Sequence, residues 1–188
     1  MAVEQARAVA EPEVLEKLDL VEPSVDCEGE FLDMVNDFRE AGDPAYDAVP
    51  ELVDGDFAAY VQRLRDQATG RWLEGGRMPA TTYWLVRGDG MVIGASSLRQ
   101  WLTPFLEIEG GHVGYRIRPS ERRKGYGTRI LALTLDKARE LGLHRVLVTC
   151  DSDNLASARI IQKNGGQLDN EIISPSSGKL VSRYWIDL

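Results

Sequence analysis

Residues Glu121 to Arg129 read ERRKGYGTR, and their charges conflict with simple helix stability. The basic run Arg122–Lys124 lies just before a predicted helix, in which apolar residues recur at three- and four-residue spacing. A helix N-terminus carries partial positive charge, so each cation there costs about 0.3–1 kcal/mol. Gly125 and Gly127 allow the backbone to curl closely around a group at which N–H donors point. The stretch predicts a phosphate or pyrophosphate site; a glycine turn with solvated charges is the alternative.

The charge of the whole chain makes this basic run more informative. The 188 residues carry a formal net charge of -8 and a pI near 4.9, which argues against general nucleic-acid binding. Within Tyr115–Arg129 the net charge is positive, because this stretch contains one acid, Glu121, and six basic residues (Arg116, Arg118, Arg122, Arg123, Lys124, Arg129). A local reversal of this kind is typical of a binding site for an anion.

Length and composition predict one soluble domain. Hydrophobic residues make up 43% of the chain and charged residues 28%, and no apolar run is long enough to cross a bilayer. The N-terminal stretch contains acids and no apolar core typical of a secretory signal. Cys27 and Cys150 provide neither a disulfide framework nor a metal cluster. We therefore expect a cytoplasmic protein that binds no metal, no membrane and no nucleic acid.

The order of predicted elements indicates an α+β fold. Residues before about Glu30 form either a helix around Glu13–Leu20 or a loose segment, and two amphipathic helices follow. From Thr81 the pattern changes to strands: a hairpin around GDG, a further strand, the basic loop with its helix, a buried strand, a short helix and a final hairpin. This order predicts a mixed, mostly antiparallel sheet with one crossover unit.

The motifs in this order resemble those of the GCN5-related N-acetyltransferase (GNAT) superfamily over roughly Thr81–Leu188. The first signature, R/Q-x-x-G-x-G/A between a strand and a helix, is met by Arg122, Gly125 and Gly127. The second signature, an Asn, a small residue and a closing Lys-x-Gly, is met by four residues further on (Asn154, Ser157, Lys163, Gly165). Either signature alone is weakly specific, whereas both together, in order, are strong.

The resemblance implies the GNAT fold, in which flanking helices cover a mostly antiparallel sheet with a central splayed pair of parallel strands. It implies that residues 1–188 form a single GNAT domain, with the acetyl-CoA-binding core in residues 81–188. Residues 1–29 are then a flexible or variable N-terminal segment, and the helices that follow correspond to the variable substrate-side helices of the family.

The resemblance also implies acetyl-CoA as the donor and assigns residues to each of its parts. The pyrophosphate lies on the loop and first helical turn (Arg122, Arg123, Lys124, Gly125, Tyr126, Gly127, Thr128). The backbone of the preceding strand pairs with pantetheine, which Asn154 and Ser157 flank (Tyr115, Arg116, Ile117). Alternatives remain open: Asn154 as a plain helix cap, Ser157 as a small packing residue, and Arg116 as an outward-facing strand residue.

Acetyl transfer to an amine requires a base, because an alkylammonium with a pKa near ~10.4 must first lose its proton. Many family members carry a Glu at the start of the strand before the phosphate loop, but the equivalent position here is Gly111. His112 lies beside it, and its ordinary pKa suits a base near neutrality. Glu107 and Glu109 are further candidates that would act through water.

The departing thiolate benefits from a proton donor, and here too the chain departs from the family. The usual Tyr of the second-signature helix corresponds to Ile161. Tyr184 and Cys150 are weak alternatives, and the thiolate could also leave unassisted. Cys150, at the end of a buried strand, is more typical of a small core residue, so no covalent cysteine intermediate is predicted.

These observations predict an N-acetyltransferase that moves the acetyl group of acetyl-CoA to a primary amine by direct attack in a ternary complex. The acceptor is a small molecule or a peptide; the excess of carboxylates favours a cationic one. Trp101 is the aromatic residue expected to border its pocket. A homodimer is compatible with the sequence. The alternative function is a non-catalytic acyl-CoA sensor, because the usual Glu and Tyr positions are lost.

Overall fold

The computed structural model describes residues 17–71 and 78–188. The helices are α1 Glu28–Glu40, α2 Pro50–Val53, α3 Phe57–Ala68, α4 Pro104–Ile108, α5 Tyr126–Glu140 and α6 Leu155–Lys163. The strands are β1 Leu18–Val21, β2 Thr81–Arg87, β3 Val92–Leu98, β4 Val113–Ile117, β5 Arg145–Asp151, β6 Gln167–Ile173 and β7 Leu180–Asp187. Short 3-10 turns at Val25–Cys27 and Pro119–Glu121 precede α1 and the glycine loop.

In the described residues, the strands form two antiparallel sheets that are linked by hydrogen bonds next to the start of β4. One sheet has the order β1-β2-β3-β4 and the other the order β5-β7-β6. The sheets touch where the backbone N–H of His112, just before β4, donates 2.8 Å to the carbonyl of Leu147 in β5. In the described part of the chain, no backbone hydrogen bond joins β4 to β5 beyond this contact. We call the gap between Val113–Ile117 and Val148–Asp151 the seam.

Helices cover both faces of the first sheet because each has one apolar face. Helices α1 and α3 pack against one face around Phe31, whose ring centroid lies 4.5 Å from that of Trp84 in β2. Helix α5 packs on the opposite face, where Leu131 and Leu135 are buried with residues of β4, β5 and α6. This arrangement confirms the predicted α+β class, with a largely antiparallel sheet, a splayed central strand pair and flanking helices.

Two local predictions are wrong. The helix predicted around Glu13–Leu20 is not formed where the structure describes it: Leu18–Val21 is a strand paired with β2, and Leu18 and Leu20 pack on the core. Residues 1–16, which include the first part of the predicted helix, lie outside the described residues. Residues 17–29 contain β1, a 3-10 turn and the start of α1, so they are not a loose segment. The loop predicted around Trp101 contains α4, capped by Thr103, whose hydroxyl accepts from Leu106 N at 3.3 Å. The single-domain assignment stays a prediction.

Candidate active site

The glycine loop presents free backbone donors at the start of α5. Arg123 and Gly125 both have positive φ, 65° and 90°, so the chain turns sharply just before the helix. Among the described residues, no acceptor is found for the N–H groups of Arg123, Lys124, Gly125 and Gly127. The N-terminus of a 15-residue helix adds its dipole to these donors. The geometry is that of an anion site.

Two of the three cations of the loop, Arg122 and Lys124, are already paired with carboxylates. Arg122 Nη2 lies 2.8 Å from Asp43 Oδ2, beyond the end of α1. Lys124 Nζ lies 2.9 Å from Oε2 of the buried Glu121. Arg123 is exposed and has no ion pair within the described residues. An incoming phosphate would therefore share Arg122 and Lys124 with these carboxylates, which the sequence does not reveal.

Gly127 has a packing role that the motif alone does not indicate. A Cβ atom at this position would lie 2.5 Å from Cδ1 of Ile160 in α6, so any larger residue would require the Ile160 side chain to move. The neighbouring Thr128 continues this contact, because its carbonyl accepts 3.2 Å from the side-chain amide of Asn164. Its own N–H donates to the carbonyl of Gly125 at 3.0 Å. The Thr128 N–H is therefore engaged within the helix turn.

The strand residues predicted to line pantetheine face different surroundings. Arg116 points to the α1 side, where its Nη1 donates 2.9 Å to the carbonyl of Ala45 and its guanidinium lies 5.1 Å from the Tyr46 ring centroid. The carbonyl of Ile117 accepts 3.1 Å from Arg122 Nε, which ties the strand to the glycine loop. The alternative role of Arg116 as an outward-facing side chain agrees with this placement.

Tyr115 of β4 and Ser157 of α6 are in contact beside the seam, on the face that α5 and α6 cover. The Tyr115 hydroxyl lies 2.7 Å from the Ser157 hydroxyl, and either oxygen can donate. The Asn154 side chain caps α6, because its Oδ1 accepts 3.0 Å from the N–H of Ser157. Burial raises the pKa of Tyr115 to about 12 and that of the nearby Cys150 thiol to about 11. Both groups are therefore protonated near neutral pH.

His112 lies at the closed end of the seam and is held by the backbone. Its Nδ1 accepts 2.9 Å from the N–H of Leu147, and only 7% of the residue is exposed. Burial lowers the pKa of His112 below 6.5, and the nearby Arg99 guanidinium acts in the same direction. In the neutral ring the proton then lies on Nε2. Removing a proton from an amine would require His112 to exchange this backbone bond for a new one.

The two glutamates differ in their contacts. Glu109 accepts hydrogen bonds from the hydroxyls of Ser174 and Ser176, in the turn between β6 and β7. Glu107 lies on α4 and is exposed, and its carboxylate has no hydrogen bond or ion pair within the described residues. Its charge acts on His112, so it lies near the same end of the seam. Glu107 is thus the carboxylate that is free to bind an incoming group through water.

The two positions at which the sequence departs from the family, Gly111 and Ile161, both lie in tightly packed surroundings. A Cβ atom on Gly111 would lie 2.4 Å from the carbonyl oxygen of Leu147, and its φ of 60° disfavours any side chain. Ile161 is completely buried in the core between α5, β4 and β5. The site therefore has neither the usual Glu at position 111 nor the usual Tyr at position 161.

The fold and the glycine loop define an acyl-CoA-binding class of protein, and the family comparison agrees. Residues 35–167 match the family model described as "Acetyltransferase (GNAT) domain". The chain therefore belongs to the GNAT acetyltransferase family, which confirms the predicted superfamily and supports the predicted enzyme class, an acetyl-CoA-dependent acetyltransferase.

Curated relatives and solved structures give the same family. L-methionine sulfoximine/L-methionine sulfone acetyltransferases of Pseudomonas aeruginosa and Pseudomonas paraeruginosa are each 32% identical over 108 residues, which cover 55% of this chain and 60% of theirs. Mycobacterium smegmatis RimJ, solved with CoA-disulfide, has a TM-score of 0.69 at 16% identity, covering 90% of this chain and 81% of that one. YncA of Salmonella typhimurium, described as a putative acetyltransferase and solved with acetyl-CoA, has a TM-score of 0.59 at 18% identity, covering 91% and 94%. These structures share the GNAT fold.

Two features are absent from the described residues. Within residues 17–71 and 78–188 no helix is long and apolar enough to span a membrane. Over the same residues no group of at least three His, Cys, Asp or Glu side chains is placed to hold a metal ion.

Proposed function

We propose that this protein transfers the acetyl group of acetyl-CoA to a primary amine by direct attack in a ternary complex. The observation that carries the proposal is the position of the free N–H groups of Arg123, Lys124, Gly125 and Gly127 at the open end of the seam. A phosphate group on these donors leaves an extended arm pointing into the gap between β4 and β5, where β4 has no second hydrogen-bonded strand among the described residues. Solved family members bound to acetyl-CoA support the choice of donor.

The loop residues would divide the work of holding the donor. The free N–H groups of Arg123, Lys124, Gly125 and Gly127 bind the pyrophosphate, with the side chains of Arg122, Arg123 and Lys124 adding charge. The backbone of Tyr115–Ile117 pairs with the arm like an added strand. An N–H of this strand, aimed at the thioester carbonyl, would stabilise the oxyanion of the tetrahedral intermediate, an effect commonly worth roughly 3–4 kcal/mol.

The geometry supports Glu107, acting through water, as the first base to test. His112 accepts a backbone hydrogen bond at Nδ1 and carries its proton on Nε2. This arrangement favours a positioning role for His112 at the closed end of the seam over a role as the base. Glu109 is held by two serine hydroxyls. Glu107→Gln should lower turnover while acetyl-CoA affinity stays unchanged, whereas unchanged turnover would remove Glu107 as base.

The names of the relatives indicate which classes of acceptor amine to propose for this protein. The two Pseudomonas relatives are named for L-methionine sulfoximine and L-methionine sulfone, and another structural neighbour is a ribosomal L7/L12 alpha-N-protein acetyltransferase. Free amino acids and their sulfur-oxidised analogues are therefore the first acceptors to test, and peptides with free N-termini the second.

The decisive experiment is a calorimetric titration of the purified protein with acetyl-CoA, with ATP as the control, followed by thiol release with a panel of amines. Micromolar binding of acetyl-CoA alone and thiol release with one amine class would support the proposal. Binding without turnover of any amine would favour the acyl-CoA sensor. The absence of acetyl-CoA binding would overturn both functions.

A further inference from the structure

The position of the cofactor sulfur can be bounded from the shape of the seam; this step rests on the proposed acetyl-CoA site. The arm enters from the glycine loop after Ile117 and runs back along β4. The arm cannot pass the His112–Leu147 contact, because hydrogen bonds already join the segment before β4 to β5 at that point. The reactive end must therefore stop in the short space between this contact and the loop. Tyr115 and Cys150 lie in that space, and both pack in the same cluster.

The polar groups that face this space from α6 are few. Ser157 lies in the first turn of α6, and its hydroxyl is 2.7 Å from the Tyr115 hydroxyl. Ile161 follows one turn later on the same helix and offers no donor. In the described structure, Tyr115 thus brings a second hydroxyl from the strand to the face of α6 where Ile161 offers none.

We propose that Tyr115 is a catalytic residue whose hydroxyl donates a hydrogen bond to the cofactor sulfur as the thiolate leaves. Ser157 positions it: the Ser157 hydroxyl donates to the Tyr115 oxygen and leaves the tyrosine proton directed at sulfur. Nothing in the sequence pattern of the glycine loop or of α6 contains this assignment, since it depends on a contact between residues 42 positions apart.

The chemical step balances without a further reactant. The amine nitrogen forms a bond to the thioester carbon, and the carbon–sulfur bond breaks with its electron pair on sulfur. The proton lost by nitrogen ends on the CoA thiol. The pKa of Tyr115, near 12, lies well above a thiol pKa of about 8.5, so the tyrosine stabilises the thiolate while keeping its own proton.

Product binding tests this role without knowledge of the acceptor. CoA and desulfo-CoA differ only at the sulfur, so the ratio of their dissociation constants isolates the contact to that atom. We expect the wild-type protein to prefer CoA by about 10-fold at pH 8.5, as a charge-assisted hydrogen bond allows. The preference should increase from pH 7 to pH 9 as the bound thiol ionises. Calorimetry measures both ligands.

The variants then separate a catalytic from a structural role. Tyr115→Phe keeps the ring and should reduce the ratio to below about 3-fold, with desulfo-CoA affinity nearly unchanged; Ser157→Ala should reduce it partly. Tyr83→Phe, the same change in the same core cluster, is the matched control and should keep the wild-type ratio. Tyr184→Phe tests the rival donor.

The possible outcomes are distinct. A pH-dependent preference that disappears in Tyr115→Phe alone supports the proposal. An unchanged ratio in Tyr115→Phe, or a loss in Tyr184→Phe instead, overturns it while leaving the donor site intact. An equal loss of affinity for both ligands would also overturn it, because it would assign Tyr115 to shaping the seam. If neither CoA nor desulfo-CoA binds the wild-type protein, the proposed function itself fails.

Discussion

The backbone N–H of Leu147 donates a 2.9 Å hydrogen bond to Nδ1 of His112, and this bond closes one end of the seam. It joins the two sheets through a side chain as well as through the backbone. Because the acceptor is an imidazole, the junction between the sheets is sensitive to acid.

Replacing His112 should change how stability depends on pH. Burial lowers the folded-state pKa of His112, so its contribution is present above the unfolded value near 6.5 and is lost as pH falls through the lower, folded value. Wild-type protein should lose stability below pH 6.5 by up to about 1.4 kcal/mol per pH unit from this group. His112→Asn, which keeps an acceptor near Nδ1 but does not titrate, should lose less. Urea unfolding at pH 7.5 and pH 5.5 measures this, with exposed His144→Asn as control.

Gly125→Asp should abolish acetyl-CoA binding while the protein stays folded. The added carboxylate places bulk and like charge where the phosphates are expected, although nothing lies within 4 Å of the position. Gly142→Asp is the matched control, because Gly142 also has positive φ and open space but follows the other end of α5. Calorimetry and thermal unfolding are read together. Normal affinity in folded Gly125→Asp protein would refute the phosphate site.

Asp43→Asn should strengthen acetyl-CoA binding at low salt by about 2- to 5-fold, since a partly exposed ion pair is worth up to about 1 kcal/mol. The change releases Arg122 from its carboxylate, 2.8 Å away. Acetyl-pantetheine, which lacks the pyrophosphate, should bind both proteins equally. Asp47→Asn serves as control because it breaks the separate pair with Arg39. Weaker binding in Asp43→Asn would instead mean that Asp43 holds Arg122 in its productive position.

Gly111→Ala should destabilise the protein by about 2–4 kcal/mol, because a Cβ atom meets the Leu147 carbonyl and φ is positive. Gly178→Ala has similar positive φ with open space, so it should cost only about 1 kcal/mol. Urea unfolding compares the two. Equal effects would show that the close approach to Leu147 relaxes easily, and that a carboxylate could be placed at this position after all.

Cys150 should form a mixed disulfide with CoA when the protein is incubated with CoA disulfide, releasing one equivalent of CoA thiol. Burial raises the pKa of the Cys150 thiol to about 11, so the reaction should be slow at pH 7 and faster at pH 9. Intact mass spectrometry detects the adduct. Cys150→Ser should remove it, and Cys27→Ser should not. An adduct on Cys27 alone would place the cofactor sulfur away from the seam.

Local patterns predicted those parts of the fold that depend on local signals. The glycine loop, the start of α5 and the Asn154 cap are set by residues adjacent in sequence, and each is found where predicted. Strand β1 was missed because a four-residue edge strand has too little periodicity to compete with a helical interpretation. Its Leu18 and Leu20 become informative only when β2 is beside them.

The site was less predictable because its important contacts join distant segments. The Arg122–Asp43 pair spans 79 positions, and the Tyr115–Ser157 pair spans 42. No sequence signal predicts either pair, because the residues around Arg122 and Tyr115 show the same local pattern whether or not a distant partner is present. The restriction on Gly111 likewise depends on the carbonyl of Leu147, which no local pattern could place.

The seam also has a consequence for amide hydrogen exchange. Strand β4 is hydrogen-bonded to β3 on one side, while on its other side the described part of the chain provides no hydrogen-bonded strand beyond His112. Amides on that side are protected only by burial, and a donor that pairs with them supplies the missing partner. Such a donor acts as a temporary strand: it should slow the exchange of β4 amides far more than that of β2, and it makes the central sheet continuous only while it is bound.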